Sequence, residues 1–175
     1  MPGALRAAAG TLAAFLGADA DGLGFVENAT AGCNAVLRSL AFTPGEEVAV
    51  LSHGYAAVRK AAAHIAGAAG ARLVEVPLPF PRPHTASVVA ALRAALSPRT
   101  RLVILDHITS PSALVLPLAP LLDACRAHGV PVLVDGAHAP GQLPLDLIGL
   151  GADWYTGNCH KWLLAPKGCA FLWTS

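Results

Sequence analysis

Short β-rich apolar runs alternate with longer stretches of helical periodicity through most of this chain, and no other feature narrows its possible folds as far. The strand-like runs fall at 48–52, 73–76, 102–106, 132–135 and 154–156, with a last one from Cys169 to Trp173. Helical patterns cover 30–41, 55–68, 87–96 and 118–128. A strand, a crossover helix and a second strand form a βαβ unit, which sets the two strands parallel in one sheet. Most of the runs are apolar at consecutive positions, as strands are when helices cover both faces of the sheet. The chain therefore reads as an α/β protein with an open, largely parallel sheet.

The punctuation agrees. Thr85 or Ser87 can cap the third helix, while Gly129 and Pro131 stop the fourth. The segment 77–84 carries four prolines and reads as an extended connection, because proline has no N–H for a helix or a central strand. Near the start, Leu5, Leu12, Phe15 and Leu16 fall on one helical face, so the opening reads as an amphipathic helix rather than a secretory leader.

Composition removes several function classes. With 54% apolar and 13% charged residues, the chain of 175 residues is far from the disordered range and long enough for one domain with a substantial core. Twelve basic residues against eleven acidic ones give no footprint for nucleic acid or an anionic membrane, so small partners are expected. No apolar run approaches the ~20 residues that cross a bilayer. The four cysteines, Cys33, Cys125, Cys159 and Cys169, form no C-x-x-C pair, which points to reduced thiols and a cytoplasmic setting.

Ligands of such sheets bind beyond the carboxyl ends of the strands. Those ends read Ser52-His53-Gly54-Tyr55, Asp106-His107-Ile108-Thr109 and Asp135-Gly136-Ala137-His138. Each alone could be a turn or a cap; three in succession outline an active-site rim. Lysine supplies a second lead, since only Lys60, Lys161 and Lys167 are present. Lys161 sits in an apolar, aromatic stretch, 154–164, where desolvation lowers an amine's pKa and frees its lone pair for attack on carbonyls. A metal-dependent hydrolase built on Asp106, His107, Asp135, His138 and His160 is a further reading, although no H-x-H spacing supports it.

The run Val132 to Gly141, followed by Gly151-Ala152-Asp153 and His160-Lys161-Trp162, resembles the class V aminotransferase family of pyridoxal-phosphate enzymes, in particular its isopenicillin-N-epimerase-like and cysteine-desulfurase-like members. The stretch from Glu27 to Gly32 and the helix from Asn34 to Leu40 resemble that family's phosphate-binding turn and helix. The likeness runs from about Leu5 to Trp173. It implies a three-layer α/β sandwich of fold type I, with the strand from Cys169 to Trp173 antiparallel. It also implies that residues 1–175 are an incomplete large domain lacking an N-terminal segment and a C-terminal small domain.

The resemblance assigns roles by position. Lys161 matches the lysine that carries pyridoxal 5′-phosphate as a Schiff base, and Asp135 matches the carboxylate beside the ring nitrogen. His138 corresponds to the residue near the phenolic oxygen, and Ser110 to a polar contact there. Asn28, Ala29 and Thr30 open the phosphate-binding helix, though Asn28 or Thr30 also suits a plain N-cap; Asn158 and His160 match further phosphate contacts. His53 is favoured to stack on the ring, with Tyr55 as the alternative or as an acid on the substrate side. A homodimer acting on an amino-acid-like substrate follows, by epimerisation, C–S lysis or transamination. The rival is a non-catalytic chain that keeps the fold as an interaction module.

Overall fold

A computed structural model of the protein describes residues 2–175. In chain order the elements are α1 (Pro2–Leu16), β1 (Leu23–Val26), α2 (Ala29–Ser39), β2 (Glu47–Leu51), α3 (Ala56–Ala68), β3 (Arg72–Val76), α4 (Thr85–Ala95), β4 (Thr100–Asp106), α5 (Leu118–Arg126), β5 (Val132–Asp135), α6 (Leu147–Leu150), β6 (Trp154–Asn158) and β7 (Ala170–Thr174). The strands form one sheet in the order β1-β7-β6-β5-β4-β2-β3. Four neighbouring pairs, from β3 across to β6, run parallel; β7 is antiparallel to both β6 and β1.

The unbroken apolar runs of the inner strands have the expected cause. Val48 and Val50, Leu102 and Ile104, and Leu133 pack with α2 and α3 on one face, around Cys33, Leu37, Val58 and Ala62. Ala49 and Leu51, Val103 and Leu105, and Val132 and Val134 pack on the other, against Leu16, Leu92, Leu121 and Leu147. Alternate residues thus feed two cores, which makes the three layers. Among the described residues no helix is long and apolar enough to cross a membrane.

Three local readings change. The helix α1 turns Ala9, Ala13 and Leu16 into the core and leaves Leu5 and Phe15 more than half exposed, because small side chains let it lie close to the sheet. Neither Thr85 nor Ser87 caps α4: His84 holds the cap position, and the Ser87 hydroxyl donates back to the His84 carbonyl at 2.8 Å. The edge strand β1 and the short helix α6 are additions to the predicted set. The proline-rich segment 77–84 is the extended connection expected, and Gly129 adopts a left-handed φ of 67° just past α5.

The strand β2, next to the edge strand β3, is anchored at its start by Glu47, which is 1% exposed. Its carboxylate accepts from Ser97 Oγ at 2.6 Å, Arg72 Nη2 at 2.5 Å and Arg99 Nε at 3.1 Å, tying β2 to the starts of β3 and β4. The Ser97 hydrogen bond and then the Arg72 bond hold this carboxyl down at about 2, from 4.5. A depressed carboxylate stabilises the fold fully above its unfolded pKa and loses that contribution as pH falls through the folded value. Glu47→Gln is therefore expected to cost about 2 kcal/mol at neutral pH. The difference from the parent should vanish between pH 4.5 and about 2, as urea unfolding across that window will show.

Candidate functional site

Beyond the carboxyl ends of β4, β5 and β6, at the start of α2, lies a cleft of about 350 Å³. Asn28, Thr30, Tyr55, Ser110, Asp135, His138, Asn158, His160 and Lys161 all line it, joined by Asp106, Ile108 and Ala137. Nine of the sequence candidates thus converge from five separate segments.

At its floor, Asp135 ends β5 with 4% exposure, and one carboxylate oxygen accepts the Ala137 N–H at 3.0 Å. Burial raises its pKa, opposed by that hydrogen bond and by nearby Lys161. An ionised Asp135 therefore wants a cationic partner in the cleft. Half-buried Lys161 places Nζ 3.0 Å from His138 Nε2. Burial lowers the lysine pKa, against the pull of Asp135. The indole N–H of Trp162 approaches His138 Nδ1 at 3.4 Å. With Nδ1 accepting, the ring proton belongs on Nε2, where it would meet the lone pair of Lys161 Nζ whenever that amine is neutral. Burial, and then Lys161, keep His138 below the ordinary histidine pKa, consistent with that neutral ring.

The start of α2 is built by two asparagines. Asn28 is the N-cap, accepting the Ala31 N–H at 2.8 Å. Asn158, at the end of β6, accepts the Ala29 N–H at 2.9 Å and so pins the helix to the sheet. The Ala29 amide is thereby already engaged, and Asn28 and Thr30 are the residues of this turn that line the cleft. His160 is oriented by its Nδ1, which donates to the Cys169 carbonyl at 2.9 Å.

His53, favoured as the stacking ring, does not line the cleft. Its Nδ1 lies 3.1 Å from Ser112 Oγ and its ring centroid 5.0 Å from that of Phe80, in an adjoining hollow. Tyr55 and Ser110 line both spaces, so Tyr55 is the aromatic side chain at the cleft. Of the residues of the metal reading, Asp106, Asp135, His138 and His160 share the cleft, but His107 turns away to bond the buried Tyr155 hydroxyl at 2.8 Å. Among the described residues no group of three or more His, Cys, Asp or Glu side chains is placed to hold a metal ion.

The residue that sequence reasoning undervalued is Asp106. It pairs in parallel register with Asp135, is 4% exposed, and accepts the Tyr55 N–H at 3.2 Å. Burial, and then the Asp135 charge, push it from 3.8 up to about 8, so it keeps its proton where Asp135 ionises. The signal was present as two strand-end aspartates on neighbouring strands. A raised carboxyl pKa makes folding take up protons, so stability falls as pH rises towards the folded value. Burial lowers His107 from 6.5 to about 4, which has the opposite effect but is complete above 6.5. Between pH 6.5 and about 8 the parent is therefore expected to lose stability relative to Asp106→Asn, as paired thermal melts at each pH will record.

A buried carboxylate facing a desolvated lysine beside a helix start is the donor set a charged aromatic phosphate requires. The sequence matches the Aminotransferase class-V family over residues 3–175. It is 40% identical to isopenicillin N epimerase of Streptomyces clavuligerus over 98% of this chain and 43% of that protein. To L-cysteine desulfhydrase of Arabidopsis thaliana it is 36% identical over 89% of this chain and 37% of that protein. The structure superposes on the cystine C-S lyase C-DES, solved with its product cysteine persulfide, with a TM-score of 0.87 at 33% identity, covering 98% of this chain and 45% of that one. The chain belongs to the class V aminotransferase family. It spans about two-fifths of the length of the curated relatives it matches, 39% for the first rice desulfhydrase-like protein.

Proposed function

We propose that this chain is the cofactor-holding core of a pyridoxal-phosphate-dependent enzyme acting at Cα or Cβ of an amino acid. The observation that carries this reading is the half-buried Lys161 amine, 3.0 Å from His138 and electrostatically coupled to the buried Asp135. Bound in the cleft, pyridoxal phosphate supplies an electron sink for the negative charge that develops at the substrate Cα.

The residues divide the remaining work. Lys161, its ammonium form disfavoured by burial, would hold the cofactor through Nζ and would serve as the base that takes and returns the substrate Cα proton. His138 holds that nitrogen in place. Asp135 would keep the proton on the ring nitrogen, and Asp106, protonated beside it, adds no second negative charge. Thr30, with the α2 start behind it, and His160 would serve the phosphate, and Tyr55 would cover the ring face. The likeness to an L-cysteine desulfhydrase and a cystine C-S lyase supports a cysteine-like amino acid, with C–S lysis, epimerisation and transamination as the candidate outcomes.

All three outcomes begin by breaking the Cα–H bond. With pyridoxal phosphate and L-cysteine in deuterated water, the protein is expected to exchange the substrate Cα proton, read by NMR, and Lys161→Ala to abolish the exchange. Cofactor binding without exchange of any amino acid tested would favour the interaction-module reading instead.

A further inference from the structure

Just past the paired ends of β6 and β7, two cysteines face one another. Asn158 pairs with Ala170, so Cys159 and Cys169 are the next opposing residues, and the Cys159 and His160 N–H groups both donate to the Cys169 carbonyl at 3.0 Å. Opposed residues of antiparallel chains have Cα atoms about 4.5–5.5 Å apart, inside the ~4.4–6.8 Å that a disulfide spans. Both side chains line one apolar groove, with Leu12, Phe15, Leu163 and Ala165. Burial first, and then the neighbouring Cys169 sulfur, push the Cys159 thiol up to about 12. Cys159 is buried and Cys169 partly exposed, while Cys33 and Cys125 are fully buried elsewhere.

We propose that Cys159 and Cys169 form a dithiol site that reacts with low-molecular-weight disulfides and closes a cross-strand bond at the base of the segment carrying Lys161. The partly exposed Cys169, as the thiolate, attacks one sulfur of the small disulfide; that S–S bond breaks and one thiolate leaves, taking up a proton. Cys159 then attacks Cys169 in the mixed disulfide, giving up its own proton as the second small thiol departs. Two protein thiols are oxidised, one small disulfide is reduced to two thiols, and no other oxidant is needed. The bond closes the loop 159–169, which holds His160 and Lys161, and such closure restricts the chain between its ends.

The test uses the full chain without cofactor, so its outcome is separable from that of the proposed enzymatic function. Incubated with oxidised glutathione, the native protein is expected to lose two of its four free thiols and two hydrogen atoms by intact mass, with Cys159 cross-linked to Cys169 on peptide mapping. Cys159→Ser should accumulate a glutathione adduct on Cys169, and Cys169→Ser should leave its native thiols unreacted. Four unreacted thiols in the treated native protein, a stable adduct on Cys169 in the parent, or a cross-link to Cys33 or Cys125 would overturn the proposal. The parent result alone decides if a variant fails to fold.

Discussion

Asp135→Asn is expected to weaken pyridoxal phosphate binding by about a hundredfold to several thousandfold, the equivalent of the ~3–5 kcal/mol lost when one member of a buried ion pair is removed. The carboxylate is 4% exposed at the cleft floor and has one backbone N–H as a fixed partner, so most of its charge is left to be met by whatever cation enters. Asparagine keeps the shape and still accepts from Ala137, which isolates the charge. The same substitution should not harm the cofactor-free fold. Burial raises the Asp135 pKa, so its ionised form opposes folding at neutral pH, and the neutral amide removes that opposition. Weaker binding with an equal or higher melting temperature is the expected pattern, read from cofactor titration and thermal melts. Unchanged affinity would show that Asp135 has no charged partner in the bound state.

Gly136→Ala, one residue along, should act on the fold itself. A Cβ there would lie 2.2 Å from Cε1, Cζ and the hydroxyl of Tyr155. That ring has no room to retreat: it is fully buried, stacked parallel to Phe171 at 6.2 Å, and bonded through its hydroxyl to His107. Gly136 is outside the left-handed region, so the penalty is steric and not conformational. Overpacking together with a lost buried hydrogen bond amounts to about 3 kcal/mol or more, a large part of the ~5–15 kcal/mol that holds a domain folded. Denaturant unfolding should show that loss, and adding Tyr155→Leu should recover part of it by opening the space. A Gly136→Ala protein as stable as the parent would mean that the β5 and β6 ends are not so closely packed.

How much of this was legible in the sequence depended on whether the determinant was local. Strands buried on both faces announce themselves, and the strand-like runs match β2 to β7 to within two residues at each end. The missing strand, β1, has one buried residue in four, and its partner in the sheet is β7, with Leu23 opposite Trp173 at the far end of the chain. No local pattern encodes that pairing. For the site, strand-end position was enough to single out Asp135 and His138, and the scarcity of lysine to single out Lys161. Strand-end position was not enough to choose between His53 and Tyr55, because the turn at Gly54 decides which ring enters the cleft and which packs on Phe80. Asn158 matches a phosphate contact by resemblance, and no local pattern shows that its carbonyl oxygen also holds the Ala29 amide across the sheet edge.

The central claim is that Lys161 is the amine which takes up pyridoxal phosphate. The chain has only three lysines, so the cofactor can be added to the purified protein, fixed with borohydride and located by peptide mass mapping. The phosphopyridoxyl group is expected on Lys161 in near one-to-one yield, with Lys60 and Lys167 unmodified. A group distributed over Lys60 and Lys167, or no fixed cofactor at all, would contradict it.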